Sequence, residues 1–373
     1  MAVIVVTRAH PRGQRPLTMI KYLGSKRRLI PRITGLIAAL APPPATVLDL
    51  FSGTSRVGHA LKRLGYRVIA NDHNAYAHAL ATCYVQADAP DVLPDAARII
   101  DELNALPGAP GYFTQTFCEQ SRYIHPRNGE RIDAIRERIK RLSLAPELDA
   151  VVLTALLEAA DRVDSTTGVQ MAYLKAWAPR AHATLRLRVP DVLPRPMAGK
   201  GDARRLDALD AARLHAAESI DVVYLDPPYN QHSYLGNYHV WESLVRWDKP
   251  AHYGVACKRC DVRERKSPFN RRDAAHAALG AVLDALNARA LVMSFSDDGF
   301  ITRDDANAML ARRFEHVDCE GVDSPRYIGA RIGIYNPQGE RVGTPGRLRN
   351  TEYLFCATAA AHPSRSDCAM LIS

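Results

Sequence analysis

The stretch from Ala45 to Ala70 constrains this chain more than any other. Ala45-Thr46-Val47-Leu48-Asp49-Leu50-Phe51 is a short apolar run of β-forming residues, entered from Pro42-Pro43-Pro44 and left through Ser52-Gly53. Arg56 to Leu64 then puts Val57, Ala60, Leu61 and Leu64 at helical spacing and stops at Gly65, a residue suited to a left-handed C-terminal cap. Tyr66-Arg67-Val68-Ile69-Ala70 reads as a second strand. Strand, glycine turn, helix and strand in such close succession make a βαβ unit, which demands a parallel sheet with a right-handed crossover.

Two later apolar runs, Ile220 to Leu225 and Ala290 to Phe295, are expected as central strands of the same sheet. Near the end, Arg331 to Tyr335 and Glu352 to Cys356 flank the Gly/Pro/Arg-rich stretch Asn336 to Asn350, which predicts an antiparallel hairpin with a long loop. Between the halves, Gln86 to Pro194 is dominated by helical spacing, as in Ile132 to Leu142 and Leu148 to Val163. The expected organisation is an α/β domain of residues 17–85 and 195–360, a helical insertion at 86–194, and flexible tails at 1–16 and 361–373.

With 373 residues, 47% of them hydrophobic and 24% charged, the chain has the composition of an ordinary globular protein. It contains no run of about 18 apolar residues, so a cytoplasmic location without a membrane partner is expected. Seven scattered cysteines do not form a disulfide framework. Cys257 and Cys260 form one C-x-x-C without a second ligand pair, which reads as free thiols rather than a zinc site. The 49 Lys+Arg against 40 Asp+Glu leave a formal charge of +9, which suits a polyanionic partner. The base clusters in Ser121 to Lys140, in Lys258 to Arg272 and in Arg341 to Arg349, three segments that together would suit a phosphate-contacting groove.

Asp49-Leu50-Phe51-Ser52-Gly53 lies where a parallel sheet binds a nucleotide-like ligand, at the carboxyl end of a strand beside a helix N-terminus. Gly53 and Gly58 do not supply G-x-G-x-x-G, and no Lys follows them, so neither a dinucleotide turn nor a P-loop fits. An acid at this turn suits a cation or an amino group rather than a pyrophosphate. Asp72, at the end of the second strand, stands where a carboxylate accepts hydrogen bonds from both ribose hydroxyls.

Asp226-Pro227-Pro228-Tyr229 directly follows the strand at Ile220 to Leu225. The two prolines remove backbone donors and fix φ, so the turn offers oriented carbonyls, a carboxylate from Asp226 and a flat ring from Tyr229. Such a set grips an exocyclic amino group and stacks on its base. Further along, Tyr238 and Trp241 are expected to pack a helix into the core, and Asp297 and Asp298 read as ordinary turn acids.

In motif order this chain resembles the Dam-like, alpha-group N6-adenine DNA methyltransferases that use S-adenosylmethionine. The resemblance rests on Lys21-Tyr22-Leu23-Gly24-Ser25-Lys26, on the turn at Asp49 to Gly53, on Asp72, on Gly201-Asp202 and on Asp226 to Tyr229. It implies a Rossmann-like methyltransferase sheet, mostly parallel with a C-terminal antiparallel hairpin, and a target-recognition insertion. It also implies that Tyr22, Lys26, Asp49, Phe51, Gly53, Asp72 and Asp202 surround the cofactor, Asp72 on the ribose and Asp202 near the adenine. Ser55 belongs to the same turn, where many relatives have Gly or Ala.

Asp226, Pro227, Pro228 and Tyr229 would then be the catalytic set, acting on a base flipped out of double-stranded DNA without metal or covalent intermediate. The Asp of this turn leans toward adenine; N4-cytosine enzymes usually have Ser there, and RNA or protein-glutamine methyltransferases remain alternatives. A cognate restriction endonuclease and a nucleoid location are further expectations of the resemblance.

Overall fold

Seven strands form one sheet: β1 (Thr46–Asp49), β2 (Arg67–Asn71), β3 (Asp202–Arg204), β4 (Val222–Leu225), β5 (Ala290–Ser296), β6 (His316–Pro325) and β7 (Arg349–Thr358). The computed structural model describes residues 19–325, 334–335, 341–343 and 349–359, and the expected tails at 1–16 and 361–373 lie outside these. The strands are ordered β3-β2-β1-β4-β5-β7-β6. All pairings from β3 to β5 are parallel, and β7 runs antiparallel to both β5 and β6. This is the Rossmann-like methyltransferase arrangement that the sequence predicts, with one change at its edge. The antiparallel partner of β7 is His316–Pro325, in register from Thr358 opposite His316 to Arg349 opposite Pro325. Ile334–Tyr335 pairs instead with Arg341–Gly343, while 331–333, and 336–340 and 344–348 of the expected loop, lie outside the described residues.

The period of two along the strands divides the core. Leu48, Ile69, Val223, Leu225, Leu291, Met293 and Phe295 face one side, where α7 (Ala208–Leu214), α9 (Ala275–Ala285) and α10 (Arg303–Ala311) cover them. Val47, Val68, Val222, Tyr224, Val292 and Leu354 face the other, under α1 (Ile30–Leu40) and α2 (Arg56–Arg63). Both faces are dry, which is why the central strands read as unbroken apolar runs.

Residues 86–194 are helical up to Arg162 and largely irregular beyond it. The helical part consists chiefly of α4 (Ala89–Ala105), α5 (Pro126–Leu142) and α6 (Pro146–Arg162), each with proline at one of its first two positions, where the missing N–H costs nothing. Ile132, Ile135 and Ile139 repeat along one stripe of α5 and are buried. Asp133, also buried, accepts from the amides of Gly111, Phe113 and Thr114 and from the Thr114 hydroxyl, at 2.7–3.0 Å. These helices share one continuous apolar cluster with α3 (Ala75–Ala81) and α8 (His239–Arg246), through Tyr76, Leu80, Tyr238, Trp241 and Leu244. Tyr238 and Trp241 are therefore core, as their spacing predicts.

Gly201 has a steric reason to be glycine. A Cβ there would lie 2.5 Å from the Val85 carbonyl oxygen and 3.1 Å from that of Val68, so backbone would have to move. Gly201→Ala is expected to lower the unfolding free energy by ~1–3 kcal/mol, measured as a drop in the urea midpoint at unchanged slope.

Candidate active site

The sheet changes direction between β1 and β4: the chain leaves β1 toward β2 and β3, and leaves β4 toward β5. Ligands of open parallel sheets bind outside the carboxyl ends of strands at such a point. An open cleft lies there, about 960 Å³ with the adjoining solvent space included. Its wall is built from the turn after β1 (Asp49 to Thr54), the turn after β2 (Asn71 to Asn74), Leu206 to Ala208, and Asp226 with Pro228 after β4. Tyr22, Gly24 to Lys26, Tyr234, Arg265 and Phe269 complete it.

The first two turns are stitched together. Asp72 accepts the Gly53 amide on Oδ2 at 3.1 Å and the Asn74 amide on Oδ1 at 2.9 Å, and the Ser52 amide donates to the Asn71 carbonyl. Gly53 adopts φ +52°, and a Cβ on it would sit 3.2 Å from the Tyr22 ring, so a side chain there would be both strained and crowded. Beneath this turn Asp49 is buried, and neither carboxylate oxygen has a side-chain partner. Burial, then the charges of Asp226 and Asp72, push its pKa well above the usual carboxylate range, opposed only by the Gly58 backbone N–H. A buried acid so placed gains most from a positively charged ligand.

Opposite stands a tyrosine wall. The Tyr22 ring stacks on Tyr234 at 5.1 Å and on Tyr238 at 4.6 Å, and its hydroxyl meets that of Tyr76 at 3.1 Å. The Tyr238 hydroxyl accepts the Leu23 amide at 2.6 Å, which fixes the course of the segment leading to Lys26. Lys26 is buried, and its Nζ lies 3.0 Å from Asp226 Oδ1 and 3.4 Å from Glu352 Oε2. Burial disfavours the ammonium, but Asp226 and Glu352 outweigh it and hold the Lys26 pKa well above its ordinary value. Burial raises the Asp226 pKa, with Lys26 and a 3.0 Å hydrogen bond from Ser294 acting against the rise.

The sequence model of the D12 class N6 adenine-specific DNA methyltransferases matches residues 22–296, from the tyrosine wall to the end of β5. The chain belongs to that family. It is 29% identical over 309 residues to the type II methyltransferase M.FokI of Planomicrobium okeanokoites, covering 78% of this chain and 46% of the relative. It is 31% identical over 240 residues to M.NlaIII of Neisseria lactamica, covering 61% of this chain and 70% of the relative. Identity to M.CviAII of Paramecium bursaria Chlorella virus 1 is 27% over 312 residues, 82% of this chain and 91% of the relative. The chain spans about half the length of the M.FokI relative.

In this D12 family chain, Tyr22, Lys26, Asp49, Phe51, Gly53, Asp72, Asp226 and Pro228 all line one cavity. Four expected residues do not. Asp202 opens β3 opposite Ile69, is not part of the cavity wall, and pairs with Arg204 at 2.6 Å. The acid that β3 delivers to the wall is Asp207, whose Oδ1 caps α7 through the Leu209 amide. Ser55 adopts φ +58° and is buried behind the turn, outside the cavity lining. Pro227 is buried, and the Tyr229 ring packs edge-on against Phe295 with centroids 6.0 Å apart. Tyr229 remains close to the charged cluster, since Lys26, Glu352 and Asp226 all perturb its hydroxyl.

Part of the basic segments has a structural use. Arg259, buried, makes a two-pronged pair with Asp248 at 2.7 and 2.8 Å and binds Asp261 as well. Arg131 donates to the carbonyls of Asn104, Leu106 and Leu185, and Arg136 to those of Leu244 and Val245. Much of this base holds backbone in place. The Lys258 to Arg272 run instead supplies cavity wall: Phe269 meets Phe51 edge-on at 5.2 Å, Asn270 donates to the carbonyls of Asn230 and His232, and Arg265 lies across the second turn. The signal for this role was Ser267-Pro268-Phe269-Asn270, an apolar and turn-forming break within the charge.

Glu242, fully buried on α8, ties these parts together. Its Oε2 accepts the amides of Ala75 and Tyr76 at the start of α3, and its Oε1 pairs with Arg265 at 3.0 Å. Glu242→Ala is expected to lower the unfolding free energy by ~1–3 kcal/mol, because it removes the nearer of the two acids of Arg265 and the acceptor of two amides at the start of a helix; chemical denaturation checks it. Glu242→Gln, which keeps one acceptor for the amides, is expected to lose less.

Proposed function

We propose that this chain transfers a methyl group from S-adenosylmethionine to the exocyclic N6 of adenine within a specific sequence of double-stranded DNA. The observation that carries this reading is Asp226. The nearest approach of Lys26 and the Ser294 hydrogen bond both fall on Oδ1, no hydrogen bond to Oδ2 is made among the described residues, and Asp226 lines the cavity.

The cavity suits S-adenosylmethionine on the chemistry of its donors. Asp49, buried and without a side-chain partner, suits a cationic group, and Gly53 lets backbone come close. In this reading Asp72 grips the ribose, and Asp207, which lines the cavity, serves the adenine in place of Asp202. Tyr22, Phe51 and Phe269 offer ring faces and edges. When bound, the cofactor supplies an electrophilic methyl on a cationic sulfur.

The chain's own residues prepare the nucleophile. Asp226 Oδ2 and the Pro227 carbonyl accept the two hydrogens of the amino group, a geometry that turns the nitrogen lone pair out of ring conjugation. A carboxylate there also stabilises the positive charge that develops on the attacking nitrogen. Tyr229 stacks on the flipped base after turning from its packing against Phe295. Much of the rate gain comes from holding two reactants in line.

Residues 86–194 are proposed as the target-recognition part of a catalytic unit formed by 17–85 and 195–360. They carry an aromatic and basic strip: the Arg122 guanidinium lies 4.6 Å over the Trp177 ring, with His125 and His182 beside it. Relatives named type II methyltransferases make a cognate restriction endonuclease the expected partner, and a cytoplasmic, nucleoid-bound location follows from a DNA substrate. Among the described residues no helix is long and apolar enough to cross a membrane.

Asp226→Ala is expected to cut transfer of labelled methyl to unmethylated bacterial DNA by ~10²-fold or more, with cofactor binding retained. Normal transfer by this variant would overturn the assignment. Asp49→Asn is expected to act on the other ligand, weakening calorimetrically measured S-adenosylmethionine binding ~10-fold, about the effect of losing one charge-assisted contact.

A further inference from the structure

The family match ends at residue 296, yet a residue of the last strand reaches the catalytic turn. Glu352 pairs across β7 with Ser296 of β5 and Val322 of β6, and its side chain, only 13% exposed, lies on the face that holds Tyr224, Ser294 and Leu354. From there its Oε2 meets Lys26 Nζ at 3.4 Å. Lys26, brought in by the short helical turn before α1, is itself 6% exposed and has Asp226 Oδ1 on its other side at 3.0 Å. Ser294 donates to the same Oδ1 at 3.0 Å and meets the Tyr224 hydroxyl at 2.9 Å. Two acids thus share one buried cation, and both the nearest approach of Lys26 and the Ser294 hydrogen bond fall on Asp226 Oδ1.

We propose that Glu352, Lys26 and Ser294 form a positioning network that engages Asp226 through Oδ1 alone and so reserves Oδ2 for the amino group of the target base. Without Glu352, Lys26 has a single anionic partner and is free to bridge both Asp226 oxygens, so that the bound amino group loses its acceptor where it matters most, in the transition state. Without Lys26, two carboxylates face each other in a buried site, where one of them must take a proton. Glu352 touches neither ligand in this arrangement; it acts through Lys26. The network rests on the reading of Asp226 as the acceptor of the amino group.

The groups facing Asp226 are Lys26 from the turn before α1, Glu352 from β7, Tyr224 from β4, Asp49 from β1, and Tyr229 and Tyr234 beyond the catalytic turn. Lys26 favours the charged form of Asp226 and Glu352 opposes it. The two substitutions therefore move the acid limb of a kcat profile in opposite directions. Removing the cation in Lys26→Met shifts the limb to higher pH, and removing the competing acid in Glu352→Gln shifts it to lower pH, each by about one unit.

The test is labelled-methyl transfer to unmethylated bacterial DNA by the full chain, across pH, for wild type, Lys26→Met, Glu352→Gln and the milder Ser294→Ala. The network predicts opposed limb shifts for the first two variants and a smaller upward shift for Ser294→Ala. It also predicts a kcat loss of about tenfold or more for Lys26→Met and Glu352→Gln, with little change in KM for either substrate. Unshifted or parallel limbs, or a loss confined to KM for DNA, would overturn the network while an inactive Asp226→Ala left the acceptor reading intact. An active Asp226→Ala would overturn both.

Discussion

The ion pair between Lys26 and Asp226 joins parts of the chain 200 residues apart in sequence. A buried ammonium is costly unless paired, so Lys26 can occupy the floor of the cavity only if β4 ends where it does and the N-terminal segment crosses above it. Each half of that condition has its own support. Tyr238 fixes the Leu23 amide, Arg56 donates to the carbonyls of Met19 and Ile20, and the Tyr22 ring is stacked between Tyr234 and Tyr238. The parallel sheet, with its change of direction at β1 and β4, brings Asp49 and Asp226 to neighbouring strand ends.

Charge is distributed against the grain of the composition. The chain carries a formal +9, but the cavity holds Asp49, Asp72, Asp207 and Asp226, with Glu352 beneath it. Arg131, Arg136, Arg259 and Arg265 are engaged by carbonyls and acids that keep the helical part and the wall in place. Other basic residues are exposed, among them Arg127, Arg263 and Arg272. A basic exterior around an acidic cavity suits an anionic polymer outside and a cationic cofactor inside.

The sheet was legible because its strands are buried on both faces and therefore unbroken in apolarity, and because glycine and proline mark their ends. The D-x-F-x-G and D-P-P-Y turns were legible for the same reason: special backbone needs special residues. What escaped were contacts made across the fold. Asp202 and Asp207 look alike in sequence, and only the register of β3 against β2 decides which reaches the cavity. Glu242 and Glu352 read as an ordinary helix acid and strand acid, because their partners Arg265 and Lys26 are distant in the chain. The edge strand was misplaced because His316 to Pro325 alternates polar residues with few apolar ones and gives a weak signal.

The central claim is that this fold aims a carboxylate and a proline carbonyl at the amino group of adenine in DNA. Sequencing that reports modified bases, on DNA from a host expressing the chain, tests it directly. The account predicts N6-methyladenine at one sequence motif, absent when Asp226→Ala is expressed in its place. DNA without new methylation, or with N4-methylcytosine instead, would contradict it.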